Sequence, residues 1–173
     1  FSLVHMKSLL NLDMHANLLS GTIPELLQYL PSLLDIDLGY NKYTGTIPRF
    51  FRNMTILAGL QLQGNQLTGN LDGLFNASGQ VLLSIVQVSN NQLTGTLPAE
   101  LFDLPSLKTF AGVSNCFEGG LPYDSICRES SVLETLVLDG LRSAQSCQVR
   151  LLPGLSNSHI IYHPLKGGVP ACV

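Results

Sequence analysis

The sequence predicts an α/β repeat solenoid, curved, with a parallel β-sheet on its concave side and irregular or 3₁₀ structure on its convex side. Three observations predict it. The stretch NLDMHANLLSGTIP (residues 11–24) returns as NKYTGTIP from Asn41, NQLTGNL from Asn65, NQLTGTLP from Asn91 and NCFEGGLP from Asn115. Counting from Asn17, the asparagines lie 24, 24, 26 and 24 residues apart, and a fixed period of roughly 20–50 residues marks a solenoid. Apolar residues precede each asparagine at spacings of three, three and two, as in Met6, Leu9, Leu12 and Met14.

The second coil repeats that template with Leu30, Leu33, Ile36, Leu38, Asn41, Tyr43, Gly45, Ile47 and Pro48. The third carries Met54, Leu57, Leu60, Leu62, Asn65, Leu67, Gly69 and Leu71, with Asp72 in place of proline. The fourth has Leu83, Val86, Val88, Asn91, Leu93, Gly95, Leu97 and Pro98. The fifth has Leu104, Leu107, Phe110, Asn115, Phe117, Gly119, Leu121 and Pro122, with Gly112 at a normally apolar site. Residues two apart, such as Ile36 and Leu38, have strand periodicity and point the same way, inward. Strands of successive coils then pair in parallel. Each asparagine sits where the chain leaves the strand, and its amide can satisfy backbone groups of its own turn and of the neighbouring coil. Glycine four residues later permits a turn, and Ile-Pro starts an extended or 3₁₀ return.

This pattern, LxxLxxLxLxxNxLxGxIPxx, resembles the plant-type leucine-rich repeat of receptor ectodomains, polygalacturonase-inhibiting proteins and algal or protist relatives. The resemblance covers residues 6 to about 123. It implies a curved solenoid with a concave parallel sheet, a protein- or ligand-binding role, and a secreted or cell-surface setting.

Two departures interrupt the register. Between Asn65 and Asn91 the spacing is 26, and LDGLFNASGQVLL replaces the Ile-Pro segment; the expectation is a two-residue insertion on the convex side. After Pro122, Leu133, Leu136 and Leu138 begin a sixth coil, but Asp139-Gly140-Leu141 replaces the asparagine turn. His163 then falls at the asparagine position, 48 residues after Asn115. We expect one solenoid segment over 1–173, with regular coils over about 6–123 and an atypical coil pair over about 124–173. A loop is expected to protrude around 140–157, and both ends read as cuts through a longer solenoid.

Cys116, Cys127, Cys147 and Cys172 all lie in the disturbed third, without CxxC or His-x-His spacing. An even number of cysteines around an irregular loop is expected to form two disulfides in an oxidising compartment, and no metal site is assigned. Four cysteines allow three pairings. Cys116–Cys147 with Cys127–Cys172 is preferred, and Cys127–Cys147 stays open. The sequons Asn53-Met54-Thr55 and Asn76-Ala77-Ser78 mark glycosylation candidates Asn53 and Asn76 on the convex return. Together these features place the chain in a secreted, cell-surface or other lumenal compartment, although no signal peptide opens the given segment.

Of 173 residues, 45% are hydrophobic and only 12% charged, with net charge −3. That balance argues against nucleic acid and against a basic membrane-binding face. With no apolar run of 18 residues, no membrane span is expected. No GxSxG, HExxH, P-loop or kinase signature occurs, so neither an enzyme nor a cofactor is expected.

Function is therefore sought at the outward strand positions. These are Asn11, Asp13 and His15, then Asp35, Asp37 and Tyr40, then Gln61 and Gln63, then Gln87, Ser89 and Asn90. Stacked strands about 4.8 Å apart would set Asp13 beside Asp37 and Asp37 beside Gln61. An acidic strip would then pass into an amide strip, and further along Thr109, Ala111, Val113, Thr135 and Val137 make the face more apolar. Such a groove suits a cationic or hydroxyl-rich partner, a protein or peptide first and a glycan second. The expected function is a non-catalytic recognition scaffold; the alternative is a structural subunit packed permanently into a larger assembly.

Overall fold

The computed structural model describes residues 5–128, 130–139 and 160–164. Along the chain run strands β1 (Asn11–Asp13), β2 (Ser20–Thr22), β3 (Asp35–Asp37), β4 (Lys42–Thr46), β5 (Gly59–Gln61) and β6 (Gln66–Gly69). They are followed by β7 (Ile85–Gln87), β8 (Gln92–Gly95), β9 (Thr109–Ala111), β10 (Cys116–Phe117), β11 (Thr135–Asp139) and β12 (Ile160–Pro164).

The odd strands form one sheet in the order β1-β3-β5-β7-β9-β11, extended at its edge by β12. Every pair from β1 to β11 is parallel and in register, so Leu12, Ile36, Leu60, Val86, Phe110 and Leu136 stack as one row. All six are buried. The inward side of this sheet is thus one continuous apolar seam, the core a solenoid needs because no single coil can bury its own face.

The asparagine ladder supplies the polar half. Asn41, Asn65, Asn91 and Asn115 are buried, and each reaches back one coil by the same geometry. Asn65 Oδ1 accepts the Tyr43 N–H at 2.9 Å, while its Nδ2 donates to Leu38 O at 3.0 Å and Leu62 O at 3.1 Å. Asn91 does the same with Leu67 N, Leu62 O and Val88 O. Asn17, in the first described coil, is exposed and donates to Met14 O and His15 O of its own turn.

The residue before each ladder asparagine adopts the left-handed conformation. Ala16, Tyr40, Asn90 and Ser114 have φ of 54°, 54°, 56° and 57°, and Gly64 has 69°. The conformation turns the chain out of the strand and aims the asparagine inward. A side chain carried at such a φ costs about 1–2 kcal/mol, so packing holds the turn against local preference.

A second parallel sheet, β2-β4-β6-β8-β10, runs along one flank. Its strands lie between each asparagine and the Ile/Leu-Pro return, where the sequence predicts only a turn. The repeated glycine is what permits this sheet. Gly69 has φ 83°, and a Cβ on it would stand 2.8 Å from the Thr46 Cγ2 of the preceding coil. Beyond each Ile/Leu-Pro, proline presets φ for a tight return. The 3₁₀ turns Glu25–Tyr29 and Arg49–Asn53 follow Pro24 and Pro48, and short helices α1 (Ala99–Phe102) and α2 (Tyr123–Ile126) follow Pro98 and Pro122.

The third coil, lacking proline, solves the return differently. Gln80 is buried; its Oε1 accepts the Asn76 N–H at 2.9 Å and its Nε2 donates to Phe51 O at 2.9 Å. A side-chain amide thus ties the 26-residue coil to the one before it. At the glycine in the apolar row of the fifth coil, a Cβ on Gly112 would lie 3.0 Å from Phe110 and 3.1 Å from Phe117. The two rings occupy the missing volume, and Phe110 meets Phe102 edge-on at 5.7 Å.

The last strand departs from expectation. β12 pairs antiparallel with β11, setting His163 opposite Leu136. His163 therefore lies within a strand and does not occupy an asparagine-type turn, and β12 does not continue the parallel stack. The loop expected at 140–157 lies outside the described residues.

Candidate functional site

Strand alternation points Asp13, Asp35, Asp37, Gln61 and Gln87 away from the core, while the residues between them are buried. Parallel register then sets Asp13 beside Asp37, Asp37 beside Gln61, and Gln61 beside Gln87. Asp13 is exposed; Asp35, Asp37, Gln61 and Gln87 are half-buried.

The next outward position holds His15, Gly39, Gln63, Ser89 and Val113 in successive coils. Ser89 is buried, so it does not stand among the accessible groups: in this row its short side chain lies between the longer Gln63 and Val113 of the adjacent coils. His15 is exposed and Gln63 half-buried. Gly39 leaves this row bare, and Gln63 leans across it: a Cβ on Gly39 would stand 2.6 Å from Gln63 Nε2 and 3.0 Å from Asp37 Oδ1. Gln63 Oε1 is enclosed without a hydrogen-bond partner. At the rim, Tyr40 is 58% exposed, its ring lying over Gly64, where a Cβ would meet Tyr40 Cδ1 at 2.7 Å. Asn90 is exposed one rung further on.

The acidic end is organised by short contacts. His15 Nδ1 lies 2.7 Å from Asp13 Oδ1, and the His15 backbone N–H donates to the same oxygen at 3.1 Å. The backbone hydrogen bond first, and then the imidazole, hold the Asp13 carboxyl below its ordinary pKa. Reciprocally, hydrogen bonding to Asp13, then the charges of Asp13 and Asp37, raise the His15 imidazole above its usual value. Asp37 Oδ1 is fixed by the Gly39 N–H at 2.8 Å. Beyond Gln87, Thr109, Ala111, Val113, Thr135 and Val137 are half-buried, so the face loses charge toward the far end.

On the convex side, Asn53 is exposed at the end of its 3₁₀ turn. Asn76 is half-buried in a tight turn, with its Oδ1 accepting the Ser78 hydroxyl at 2.9 Å. Cys116 lies in β10 and Cys127 caps α2; neither is free. Cys147 and Cys172, and with them the expected pairing, lie outside the described residues. Among the described residues no helix is long and apolar enough to cross a membrane.

The Gly39 recess and the left-handed turns escaped sequence reasoning. The only written hints were Gly39 itself and the Gly64 and Asn90 that precede two of the ladder asparagines.

A leucine-rich-repeat family model matches residues 8–30 and 82–104. No curated protein sequence matches. Among solved structures, the chain is similar to PEPR1 in its structure with AtPEP1, at 32% identity and TM-score 0.67 over 73% of this chain and 17% of that one. It is similar to the plant peptide hormone receptor RGFR1 in complex with RGF2, at 28% identity and TM-score 0.68, covering 77% and 20%. The Arabidopsis receptor kinase HAESA, in complex with the peptide hormone IDA and the co-receptor SERK1, shows 30% identity and TM-score 0.59, covering 79% and 26%. The chain thus spans about a quarter or less of the length of these ectodomains.

Proposed function

This chain carries plant-type leucine-rich repeats wound into a curved solenoid, and on that premise we propose that it is a non-catalytic recognition scaffold whose concave strip binds an extended protein or peptide segment. The observation that carries the proposal is the in-register row Asp13, Asp37, Gln61, Gln87. A row one strand spacing per rung, acidic and then amide, matches an extended chain with a Lys or Arg near one end and backbone amides along the rest. Solved relatives that hold peptides support the class of partner; the acidic end is what sets its charge. A glycan is the second ligand class for the amide rungs.

Asp13, His15, Asp35, Asp37, Tyr40, Gln61, Gln63, Gln87 and Asn90 form the proposed contact surface, with Tyr40 as an aromatic platform at its rim. The scaffold is proposed to work outside the cell or in another oxidising lumen, with disulfides at Cys116 and Cys127 fixing the end of the regular coils and glycans at Asn53 and Asn76 on the opposite side. The 1–173 segment is proposed as one part of a longer solenoid.

A photo-crosslinking residue placed at Gln61, and in a second variant at Arg49 on the convex side, tests the proposal in extracellular extract. Adducts specific to position 61 are expected. Adducts only at position 49 would instead support a structural subunit held by its outer surface.

A further inference from the structure

Asp13, His15 and Asp37 are brought together only by folding, since Asp37 lies a full coil beyond the other two. One ligating atom from each lies within 4.8 Å of those from the others. We propose that these three side chains form a Zn²⁺-binding site at the acidic end of the concave face.

The donor set is one imidazole and two carboxylates, a combination that suits zinc and related first-row ions better than calcium or magnesium. Ligands held at zinc's bond lengths of about 2.0–2.1 Å in a tetrahedron stand about 3.3 Å apart. His15 Nδ1 and Asp13 Oδ1 are already at 2.7 Å, the Asp37 oxygen lies within 4.8 Å of both, and rotation of the exposed Asp13 and His15 side chains can bring them toward it. Two features beyond the carboxylates prepare the place. Gly39 is buried beside Asp37 under the Gln63 amide, which occupies the space a Cβ would take, and Gln63 Oε1 is enclosed without a partner. Asp37 is also pre-set, because the Gly39 N–H holds one of its oxygens.

Asp13 and His15 side chains are 63% and 51% exposed, so three protein ligands would leave a fourth position open to water or to a group on a partner. Occupancy would also replace the local negative charge of two carboxylates with a neutral or positive centre. The site therefore deepens the recognition proposal, and rests on it for this consequence alone: zinc would turn a surface that attracts cations into one that does not.

The test titrates ZnCl₂ into chelator-treated full chain at pH 7.4 by calorimetry, with the His15 ring resonances followed by NMR. One zinc per chain is expected, with the His15 resonances shifting in step. His15→Ala and Asp37→Asn should each weaken binding tenfold or more, since even outer-shell changes weaken metal sites by about 10–100-fold. Because His15 is exposed and Asp37→Asn keeps the Oδ1 that accepts the Gly39 N–H, unchanged circular dichroism is expected in both variants. Equal zinc affinity in wild type and both variants, or unmoved His15 resonances, would overturn the site. A second arm measures an arginine-containing peptide with and without zinc. Weaker peptide binding with zinc supports the switch. Zinc binding that leaves peptide affinity unchanged upholds the metal site and removes this end of the face from the recognition proposal.

Discussion

Replacing Asn65 with alanine removes one rung from the middle of the ladder. Four hydrogen bonds are lost, one accepted from Tyr43 N and three donated to Leu38 O, Leu62 O and, at 3.5 Å, Gln63 O. The Tyr43 N–H is left without its acceptor, because Asn65 Oδ1 is the group that the following coil supplies to it. At a net 0.5–1.5 kcal/mol per bond, and more where a buried group is orphaned, the loss sums to about 2–4 kcal/mol. Asn17, exposed and bonded only within its own turn, should lose no more than about 1 kcal/mol on the same substitution. Urea unfolding of both variants reads the difference directly. Solenoids can unfold coil by coil, so coincidence of fluorescence and circular-dichroism transitions should be checked before free energies are extracted. Equal destabilisation at Asn65 and Asn17 would refute the inter-coil ladder, because burial and reach are all that separate them.

Other outcomes follow from the same geometry. Ala16→Gly should stabilise by about 0.5–1 kcal/mol in urea melts, because a left-handed alanine costs about 1–2 kcal/mol and the entropy lost with glycine only partly offsets the gain. Gln80→Ala should destabilise by about 2 kcal/mol, since it strips the Asn76 N–H of its acceptor inside the coil; a melt within 0.5 kcal/mol of wild type would show that the buried amide does not tie the long coil. In metal-free protein, NMR titration should place the His15 imidazole above its ordinary value of 6.5. Asp13→Asn should move it back down, because the hydrogen-bonded charged partner is gone; an unmoved midpoint would mean the pair does not persist in solution.

Much of the fold was legible because each coil repeats a short rule. Leucine spacing marked the inward row, and the asparagine, with its one donor group and one acceptor, could serve two coils at once. The fine structure was not legible where the same job is done by unlike residues. Gln80 performs for the third coil what Ile-Pro does elsewhere, and a lone buried glutamine carries no periodic mark. Ala16, Tyr40 and Ser114 adopt a conformation their side chains disfavour, so propensity pointed away from it. Ser89 looked outward by alternation, but a side chain this short is buried between the longer Gln63 and Val113 of its row. Likewise His163 fitted the repeat by length, while β12 runs against β11; spacing alone does not fix strand direction. The strip itself was readable from alternation, yet the meeting of His15 with Asp13, and the seating of the Gln63 amide over Gly39, depend on rotamers and on an absent side chain.

The recognition surface is tested most directly by the affinity of a concave-face peptide or protein for wild type and for Asp37→Lys. Reversal removes one attraction and adds one repulsion, each worth up to about 1 kcal/mol at a surface, so binding should weaken by roughly 5–30-fold with unfolding unchanged. The loss should shrink as salt is raised, because screening weakens exposed charge pairs. A dissociation constant unmoved by Asp37→Lys at low salt would contradict the acidic strip as the place where this solenoid meets its partner.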